Sequence, residues 1–416
     1  MCDLVVVGLG YVGLPLVREA CRSGLRVVGF DISSAVVEGL MAGRSHVDDI
    51  SDDDVAQMLR AGFVATTDEE AVAGADTVVL CVPTPLDEDG GPDLTAVTSA
   101  AEMVSRHLRA GMLVVLESTT YPGTTDELVR PILEKSGLRA GEDFALAYSP
   151  ERIDPGNKQY GLRNTPKVVG GHTPKCAERA EAFYAKICDR VVRAKGTREA
   201  EMAKLLENTY RHVNIALVNE MAIFCHELGI DLRDAIAAAS TKPFGFQPFY
   251  PGPGVGGHCI PIDPNYLSYK VKRLGYPFRF VELAQEINQR MPAYVAQRVQ
   301  DLVNEAGRSV KGSSVLLLGV TYKPNIADQR ESPAPQVARR LRRMGAKLQF
   351  HDPYVPEWEV DGEPVPRAEP LLDALRSADV TVLLQDHEAY DVETLRAARL
   401  LFDTRGRVTD GTAEVL

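Results

Sequence analysis

Apolar and polar positions follow each other in blocks along the first 150 residues, in a pattern typical of a parallel α/β sheet. Continuous apolar runs predict strands buried on both faces at residues 4–7, 77–82, 113–116 and 145–148. Residues 14–23 place apolar side chains at 14, 16, 17 and 20, as an amphipathic helix does, and residues 26–30 form a further strand. The N-terminal part is therefore predicted to be a parallel sheet covered by helices.

The pattern becomes helical after residue 198. Residues 199–226 contain no Pro or Gly and repeat apolar positions over roughly eight turns, which is long for one globular helix. Such a helix suits an element that spans two halves of a molecule or packs on a partner subunit. Two more helices are predicted at 267–274 and 280–306. An α/β pattern then restarts, with strands at 313–320, 347–350, 380–384 and 400–403 and a helix at 335–344.

Composition and charge narrow the class of protein. The 416 residues are 45% hydrophobic and 25% charged, as in an ordinary soluble globular protein, and the length predicts two or three domains. The net charge of −12 argues against non-specific nucleic-acid binding, which needs a basic face. Seven cysteines without a CxxC pair suggest neither a disulfide framework nor a zinc site, so no metal is expected. No basic leader or membrane-length apolar run is present, and the expected location is the cytoplasm.

A dinucleotide-binding fingerprint lies at the start of the chain. The first strand leads directly into GLGYVG at residues 8–13, which opens the amphipathic helix, and the second strand ends at Asp31. The glycines allow a tight turn and close approach to a pyrophosphate, the helix N-terminus offers free N–H groups, and Asp31 can accept hydrogen bonds from ribose hydroxyls. An acidic residue here favours NAD over NADP, because it would repel a 2′-phosphate.

Polar residues follow the later strands, at the sheet edge where open α/β proteins bind ligands. Pro83 and Thr84 follow the strand at 77–82, and Ser118 and Thr119 follow the strand at 113–116. Both threonines are compatible with an ordinary turn hydroxyl and with a ligand contact.

A carboxylate and a guanidinium, Glu151 and Arg152, follow the strand at 145–148. They stand between prolines and are compatible with a surface turn and with the wall of a pocket.

The segment PGPGVGGHCIPIDP, residues 251–264, is the most unusual of the chain. Its glycines would let the main chain press closely against a neighbour or a ligand. Cys259 follows them, and a thiol becomes a strong nucleophile as thiolate in an electropositive, partly open setting. The alternative interpretation is a Gly/Pro-rich turn with an incidental buried cysteine.

Two further pairs of polar residues are candidates for binding or chemistry. Lys204 and Asn208 are four apart on the long predicted helix, so they share a face, which in the alternative interpretation is simply solvated. Lys323 and Arg330 follow the first strand of the C-terminal part and could meet phosphates or lie on the surface.

Eight ordered blocks resemble one family over nearly the whole chain, the nucleotide-sugar 6-dehydrogenases, which include UDP-glucose and UDP-N-acetylhexosamine dehydrogenases. The blocks are GLGYVGLPL, VPTP, ESTTYPGTT, SPERIDPG, KLLENTYRHVN, PGPGVGGHCIPIDP, YKPNIADQRESP and FDTRG. The resemblance implies oxidation of a sugar C6 alcohol to a carboxylate by two NAD⁺ at one site, in a homodimer whose substrate is a UDP-hexose or UDP-N-acetylhexosamine.

The resemblance also implies an α/β fold with two Rossmann-like domains, joined by a long central helix and a helical dimerisation domain. Residues 1–197 would bind NAD, residues 198–305 would form the dimerisation domain with the catalytic Lys and Cys, and residues 306–416 would bind the nucleotide sugar. Cys259 resembles the nucleophile that traps the C6 aldehyde as a thiohemiacetal, whose oxidation gives a thioester. Lys204 would help the alcohol lose its proton and stabilise the oxyanion, with Asn208 as a second donor.

The remaining family roles are carried over by matching positions. Asp263, with Thr119 and water, would support proton transfer, and Glu151 is similar to the carboxylate used in thioester hydrolysis. The cofactor contacts implied are Gly8, Gly10, Tyr11, Val12, Gly13, Asp31, Pro83, Thr84, Ser118, Thr119 and Arg330. The substrate contacts implied are Arg152, Ile153, Lys204, Asn208, Arg211, Tyr250, Gly254, Gly256, Tyr322, Lys323 and Arg405.

The blocks around Glu151 and Cys259 resemble the N-acetylhexosamine branch of the family. N-acetylmannosamine enzymes typically carry His-Pro-Arg upstream of PGPG, where this chain has Lys242-Pro243-Phe244, and this leaves UDP-N-acetylglucosamine ahead. Asn265 departs from the aromatic residue usual after IDP in this branch. The alternatives are UDP-glucose or TDP-glucose, then UDP-N-acetylmannosamine and, from another class, a catalytically retired nucleotide-sugar-binding paralogue.

Overall fold

The computed structural model describes residues 2–86, 91–154, 157, 159–257, 260 and 262–416. The chain forms two compact units. The first comprises the chain up to Glu207 together with Asn265–Gly275, and the second comprises Asn208–Pro264 and Tyr276–Leu416. Each is an α/β structure, as the sequence predicts.

The first unit is built on one eight-stranded sheet in the order β3-β2-β1-β4-β5-β6-β7-β8. Neighbouring strands run parallel, except that β7 is antiparallel to β6. The strands are β1 (Cys2–Val7), β2 (Val27–Phe30), β3 (Val64–Thr66), β4 (Ala75–Leu80), β5 (Leu113–Leu116), β6 (Ala145–Tyr148), β7 (Lys167–Gly171) and β8 (Val191–Arg193).

Helices cover both faces of this sheet, which is why its central strands are continuously apolar. In β1, Leu4 and Val6 belong to the core on one face, and Val5 and Val7 belong to the core on the other. The helices are α1 (Gly13–Arg22), α2 (Ser34–Met41), α3 (Asp52–Arg60), α4 (Thr95–His107), α5 (Arg130–Leu133) and α6 (Pro174–Tyr184). The predicted helix at 14–23 and the strands at 4–7, 113–116 and 145–148 are confirmed to within two residues.

Strand β7, with the sequence Lys-Val-Val-Gly-Gly, is not among the strands predicted from the sequence. The two glycines are there for close packing. A Cβ on Gly170 would lie 2.1 Å from the carbonyl oxygen of Gly196, and a Cβ on Gly171 would lie 2.1 Å from the amide nitrogen of Ala177. At these two positions the neighbouring main chain lies closer to β7 than any side chain would allow.

The middle of the chain is helical, and its first helix confirms the long element predicted at 199–226. The boundary between the two units falls within this helix, after Glu207. The helices are α7 (Thr197–Glu227), α8 (Leu232–Ser240), α9 (Asp263–Lys272) and α10 (Arg279–Glu305). Among the described residues, no helix combines the length and the apolar character that a membrane span requires.

The second unit contains a five-stranded, fully parallel sheet in the order β10-β9-β13-β14-β15, and a two-stranded hairpin of β11 with β12. The strands are β9 (Ser314–Leu318), β10 (Lys347–His351), β11 (Glu359–Val360), β12 (Glu363–Pro364), β13 (Val380–Leu383), β14 (Leu401–Asp403) and β15 (Glu414–Val415). The helices are α11 (Ala334–Arg343), α12 (Leu371–Ser377) and α13 (Val392–Leu395). The α/β pattern predicted for the C-terminal third is thereby confirmed.

Candidate active site

The predicted site residues fall into two sets, one in each unit. In the first unit, the glycines between β1 and α1 have three different surroundings. Gly8 has a φ of +92°, and a Cβ there would lie 2.7 Å from the carbonyl oxygen of Cys81. A Cβ on Gly13 would lie 1.9 Å from the carbonyl oxygen of Gly8, whereas Gly10 has no heavy atom within 4 Å of such a position. Two glycines therefore permit the tight turn, and Gly10 leaves open space beside the helix N-terminus, where a pyrophosphate would bind.

Asp31 directly follows β2 and is held by two main-chain donors. One carboxylate oxygen accepts a hydrogen bond from the amide of Leu9 at 2.9 Å, and the other accepts one from Ser33 at 2.9 Å. The carboxylate is thus tied to the glycine-rich turn and remains partly exposed. Since each carboxylate oxygen can accept more than one hydrogen bond, ribose hydroxyls can still bind there.

The ends of β4 and β5 bring the two candidate threonines together. Thr84 donates a hydrogen bond from Oγ1 to the carbonyl oxygen of Thr119 at 2.8 Å, and Ser118 donates one to the carbonyl oxygen of Val82 at 2.7 Å. Tyr266 donates its hydroxyl to the carbonyl oxygen of Thr84. The side chains of Thr84 and Ser118 are therefore buried and engaged with the main chain, which favours a role in shaping the turn.

The other predicted cofactor residues of this unit lie at the same edge. Tyr11 is partly exposed, Val12 is half-buried at the start of α1, and Pro83 is exposed. With the open position at Gly10 and the oriented carboxylate of Asp31, these residues fit an adenine dinucleotide.

Glu151 and Arg152 follow β6 but point to different partners. Glu151 is buried, and its Oε1 accepts a hydrogen bond from the amide of Ile153 at 2.5 Å. Arg152 forms an ion pair with Glu207 at 2.8 Å and donates to the carbonyl oxygen of Pro166 at 2.7 Å. Glu151 is thus held inside the first unit, whereas Arg152 is neutralised by a carboxylate that an anionic substrate would have to compete with.

A buried ionic cluster behind Glu151 was missed by sequence reasoning. Lys167, at the start of β7, forms ion pairs with Glu117 at 3.0 Å and with Glu151 at 3.7 Å, and Tyr184 donates its hydroxyl to Glu117. All four side chains are buried. The available signal was a lysine at the head of an apolar run, together with a glutamate directly before Ser118 at the end of a strand.

Asn208 and Asp263, both in the second unit, are brought into direct contact. The side-chain amide of Asn208 donates a 2.6 Å hydrogen bond to Asp263, which is buried at the first position of α9. Lys204 lies four residues before Asn208 on α7 and is also buried. This excludes a solvated face for the pair of residues singled out on the long helix. Cys259 lies outside the described residues.

The glycines of the segment 251–257 meet parts of the second unit at distances no side chain permits. A Cβ on Gly256 would lie 2.6 Å from the carbonyl oxygen of Glu331, and a Cβ on Gly257 would lie 2.7 Å from the ring of Tyr322. Gly254, with a φ of +140°, lies against Pro333. The close approach expected of this segment is therefore made to the loop between β9 and α11, which carries Tyr322, Lys323 and Arg330.

Two buried arrangements support the loops of the second sheet. Behind the loop after β9, Nδ1 of His387 accepts a hydrogen bond from the amide of Asn325 at 2.9 Å, and Nε2 lies 3.1 Å from Asp352. After β14, both carboxylate oxygens of Asp403 accept main-chain amides, including that of Arg405 at 2.8 Å. Neither His387 nor Asp403 was singled out from the sequence, since their partners are distant in the chain.

Three predicted cations of the second unit stand in different surroundings. Arg405 donates to the carbonyl oxygen of Leu384 at 2.7 Å, and burial lowers its pKa to about 10, which leaves it charged at neutral pH. Arg330 forms an ion pair with Asp328 at 2.6 Å. Arg211 is exposed on α7.

The ring of Tyr250, also exposed, lies 5.7 Å from the guanidinium of Arg233. Of Arg405, Arg330 and Arg211, only Arg405 is partly buried, and a partly buried cation suits a phosphate.

Three domain models of one family match the chain in order. They are described as the NAD binding domain, the central domain and the UDP binding domain of the UDP-glucose/GDP-mannose dehydrogenase family, and they match residues 2–188, 198–290 and 316–410. The match to an NAD binding domain confirms the cofactor predicted from the glycine-rich turn and Asp31.

Individual relatives agree with this assignment. The chain is 38% identical over 407 residues to a UDP-N-acetyl-D-glucosamine 6-dehydrogenase of Pseudomonas aeruginosa, with 97% of this chain and 92% of the relative covered. It is 35% identical over 389 residues to a UDP-N-acetyl-D-mannosamine dehydrogenase of Pyrococcus horikoshii, with 93% and 90% covered.

A solved structure of the UDP-D-ManNAc dehydrogenase from Pyrococcus horikoshii is similar to this chain with a TM-score of 0.89 at 33% identity, covering 98% of this chain and 96% of that one. A UDP-glucose dehydrogenase from Pyrobaculum islandicum gives a TM-score of 0.88 at 29% identity, covering 100% and 96%. The chain therefore belongs to the UDP-glucose/GDP-mannose dehydrogenase family, and it is an NAD-binding oxidoreductase of nucleotide sugars.

Proposed function

We propose that this enzyme oxidises the C6 hydroxyl of UDP-N-acetylglucosamine to a carboxylate, in a four-electron reaction that passes through a thioester on Cys259. The observation that carries the proposal is the contact of Asn208 with Asp263 on a helix that also buries Lys204. A buried carboxylate and a buried lysine are costly to keep unless they have a function or a complete set of partners.

The carboxylate of Asp263 fixes how the amide of Asn208 is oriented. An ionised carboxylate only accepts hydrogen bonds, so the NH₂ group of Asn208 faces Asp263 and its second N–H is available to another acceptor. In the proposed reaction that acceptor is the oxygen on C6, which gains negative charge during each oxidation. Lys204 supplies the positive charge and takes part in removing the hydroxyl proton.

The two oxidations are joined by covalent capture. NAD⁺, when bound, accepts one hydride from C6 in each oxidation. The thiolate of Cys259 adds to the aldehyde, the thiohemiacetal is oxidised to the thioester, and water releases the carboxylate and restores the thiol. Glu151 removes a proton from that water, and Asp263 with Thr119 supports proton transfer through solvent.

We assign residues 1–197 to NAD binding, residues 198–305 to catalysis and dimerisation, and residues 306–416 to the nucleotide. Lys323 and Arg405 would bind the pyrophosphate, and Tyr322 would contact the substrate beside the glycine segment. Support comes from the UDP binding domain match over 316–410 and from the partly buried guanidinium of Arg405.

The sugar is proposed from two observations. The relatives from Pseudomonas aeruginosa and Salmonella typhi, both named UDP-N-acetyl-D-glucosamine 6-dehydrogenases, are 38% and 39% identical to this chain. Lys242-Pro243-Phe244 stands where N-acetylmannosamine enzymes typically carry His-Pro-Arg. UDP-N-acetylmannosamine remains the second candidate, because relatives with that name are 34–35% identical, followed by UDP-glucose and TDP-glucose.

We further propose that the enzyme is a homodimer, formed through α7, and that it works in the cytoplasm. Large apolar side chains recur on α7 at 206, 210, 217 and 224, spacings of four and seven that place them on one face, and each is at least 46% exposed. An exposed apolar stripe of this size favours burial against a second copy. A cytoplasmic location is supported by the six described cysteines. All of them are free thiols, as is usual in a reducing compartment.

The test is to incubate the enzyme with NAD⁺ and each of these nucleotide sugars and to count NADH released per sugar consumed. We expect two NADH per sugar, with the highest kcat/KM for UDP-N-acetylglucosamine. One NADH per sugar would indicate a single-step alcohol dehydrogenase, and no turnover with tight binding would indicate a retired paralogue. Cys259→Ser should abolish formation of the uronic acid, so wild-type turnover in that variant would exclude the covalent route.

A further inference from the structure

The first unit buries a lysine between two glutamates. Glu117 follows β5 and is fully buried, Lys167 opens β7, and Glu151 follows β6. The Nζ atom of Lys167 lies 3.0 Å from Glu117 and 3.7 Å from Glu151, and 3.5 Å from the carbonyl oxygen of Pro150. The adjacent strands β5, β6 and β7 thus place these three charges close together.

Glu117 and Tyr184 also hold the lysine in place. Tyr184, at the end of α6, donates its hydroxyl to Glu117, and the Nζ atom of Lys167 lies 5.1 Å from the centre of the Tyr184 ring. Burial alone would disfavour the ammonium, but Glu117 and Glu151 outweigh it and raise the pKa of Lys167 above its usual value. Lys167 is therefore charged at any pH at which the enzyme works.

The carboxylate of Glu151 has two fixed neighbours. Its Oε1 accepts the amide of Ile153 at 2.5 Å. Its Oε2 receives no hydrogen bond within the described part of the chain, and the ammonium of Lys167 lies 3.7 Å away. A carboxylate that shares a buried cation in this way has its orientation set by that cation, while Oε2 keeps lone pairs for a further donor such as water.

We propose that Lys167 is a positioning residue for acyl hydrolysis: it holds the Glu151 carboxylate in the orientation from which Glu151 takes the proton of the attacking water, and Glu117 with Tyr184 holds Lys167. The inference rests on the proposed function, because it presupposes a thioester that water must cleave. Lys167 does not act in the two oxidations. Its loss therefore slows only the step after them.

The test is stopped-flow NADH formation by Lys167→Met at saturating UDP-N-acetylglucosamine and NAD⁺. We expect a burst of two NADH per active site at wild-type rate, followed by a steady state slowed about 100-fold, the size typical for loss of general-base help. The kcat/KM for the sugar should stay within about twofold, since the steps up to the thioester are untouched, and KM should fall together with kcat. The slow phase should rise with pH, because hydroxide replaces water activated by Glu151.

Lys167→Arg, which keeps the charge, should recover at least about tenfold of the loss seen in Lys167→Met. A merely structural role for Lys167 predicts instead that burst and steady state fall together, without rescue by pH, and that result would overturn the inference. So would a steady state of wild-type rate in Lys167→Met.

Melting curves separate function from folding. If Lys167→Met does not fold, Glu117→Gln/Lys167→Met removes the two opposite charges together and is measured in its place, with the same slowed second phase expected. Thioester hydrolysis at the wild-type rate in the folded double variant would contradict the proposed role of Lys167. A wild-type enzyme that releases one NADH per sugar contradicts the proposed function, whereas two NADH with unaffected Lys167 variants contradicts only the role of Lys167.

Discussion

The amide nitrogen of Asn208 lies 2.6 Å from a carboxylate oxygen of Asp263, and the carboxylate is almost completely buried. The contact joins a residue on the long helix α7 to the residue that opens α9, across 55 positions of chain. It fixes the direction of an N–H group, which is what stabilisation of a developing oxyanion requires.

Replacing Asn208 by Ala should therefore lower kcat about 100- to 1,000-fold, the loss typical when one oxyanion donor is removed. The KM for the sugar should change little. Asn214→Ala is the matched control, because Asn214 is on the same helix and donates to the carbonyl oxygen of Tyr210 at 2.7 Å. Steady-state kinetics and a melting curve of each variant are the measurements. Equal losses in both variants would assign Asn208 a role in helix stability alone.

The glycine-rich turn makes a prediction that separates binding from folding. Gly10→Ala should fold as well as the wild type, since a Cβ there meets no protein atom within 4 Å, but it should raise the Kd for NAD⁺ at least about tenfold by occupying the pyrophosphate position. Gly13→Ala should fail to fold stably, because its Cβ would lie 1.9 Å from the carbonyl oxygen of Gly8.

Gly161→Ala is the control, since Gly161 also has open space around it. NAD⁺ titration followed by fluorescence, with melting curves, provides both readouts. Unchanged NAD⁺ affinity in Gly10→Ala would place the dinucleotide elsewhere.

Asp31 should make NAD⁺ the preferred cofactor by about 100-fold in kcat/KM over NADP⁺, because its carboxylate repels a 2′-phosphate. Asp31→Asn removes the charge and should narrow this ratio by at least about tenfold. The substitution should also lower the stability of the protein. Each Asp31 oxygen accepts one main-chain amide, from Leu9 or from Ser33, whereas the Asn side chain has only one acceptor oxygen. Initial rates with the two cofactors are the measurement, and a higher kcat/KM with NADP⁺ in the wild type would contradict the role of Asp31.

Glu201 on α7 should make stability depend on pH. Burial raises its pKa to about 7, despite hydrogen bonds from the amides of Gly123 and Thr125. Because the folded-state pKa lies above the ordinary value, the group's contribution is complete below about pH 4.5 and is lost as the pH rises through 7. The loss is at most about 3 kcal/mol.

Glu201→Gln does not titrate, so its Tm should fall several degrees less than that of the wild type between pH 5 and pH 8. Glu199→Gln, an exposed change on the same helix, should behave like the wild type. Parallel curves for wild type and Glu201→Gln would show that this carboxylate does not control the pH dependence.

The apolar stripe on α7 predicts the assembly. Leu217→Glu/Phe224→Glu should convert the proposed dimer to a monomer, because each charge would have to be buried in the interface without a partner. Leu372→Glu, at an exposed apolar position of α12, should stay dimeric. Light scattering after size-exclusion chromatography decides, and a monomeric wild type or a dimeric double variant would exclude this interface.

The sequence was most informative where local chemistry determines local structure. The strand–GLGYVG–helix order predicts the turn, since only glycine fits at Gly8 and Gly13. The apolar runs predict β5 and β6 to the residue, because a strand buried on both faces consists mainly of apolar side chains. The family blocks singled out Asn208 and Asp263, which proved to be in contact.

Sequence reasoning was insufficient where the environment of a residue depends on partners that are distant in the chain. A lysine is usually a surface residue. Lys167 stands at the head of an apolar run, but nothing local identifies its partners Glu117 and Glu151, which lie 50 and 16 positions before it. The contact of Arg152 with substrate stays a prediction, but its ion pair with Glu207 could not be inferred from the sequence. Both cases depend on tertiary packing, which no single window of sequence contains.

The fit of Gly256 and Gly257 against Glu331 and Tyr322 has a practical consequence for protein engineers. A directed-evolution library that randomises 252–257 would consist largely of clones that never reach a folded state, whatever hexose they were meant to accept. Diversity is better introduced at the solvent-facing aromatic positions just upstream, Phe244, Phe246 and Tyr250, where the scaffold leaves room for new side chains.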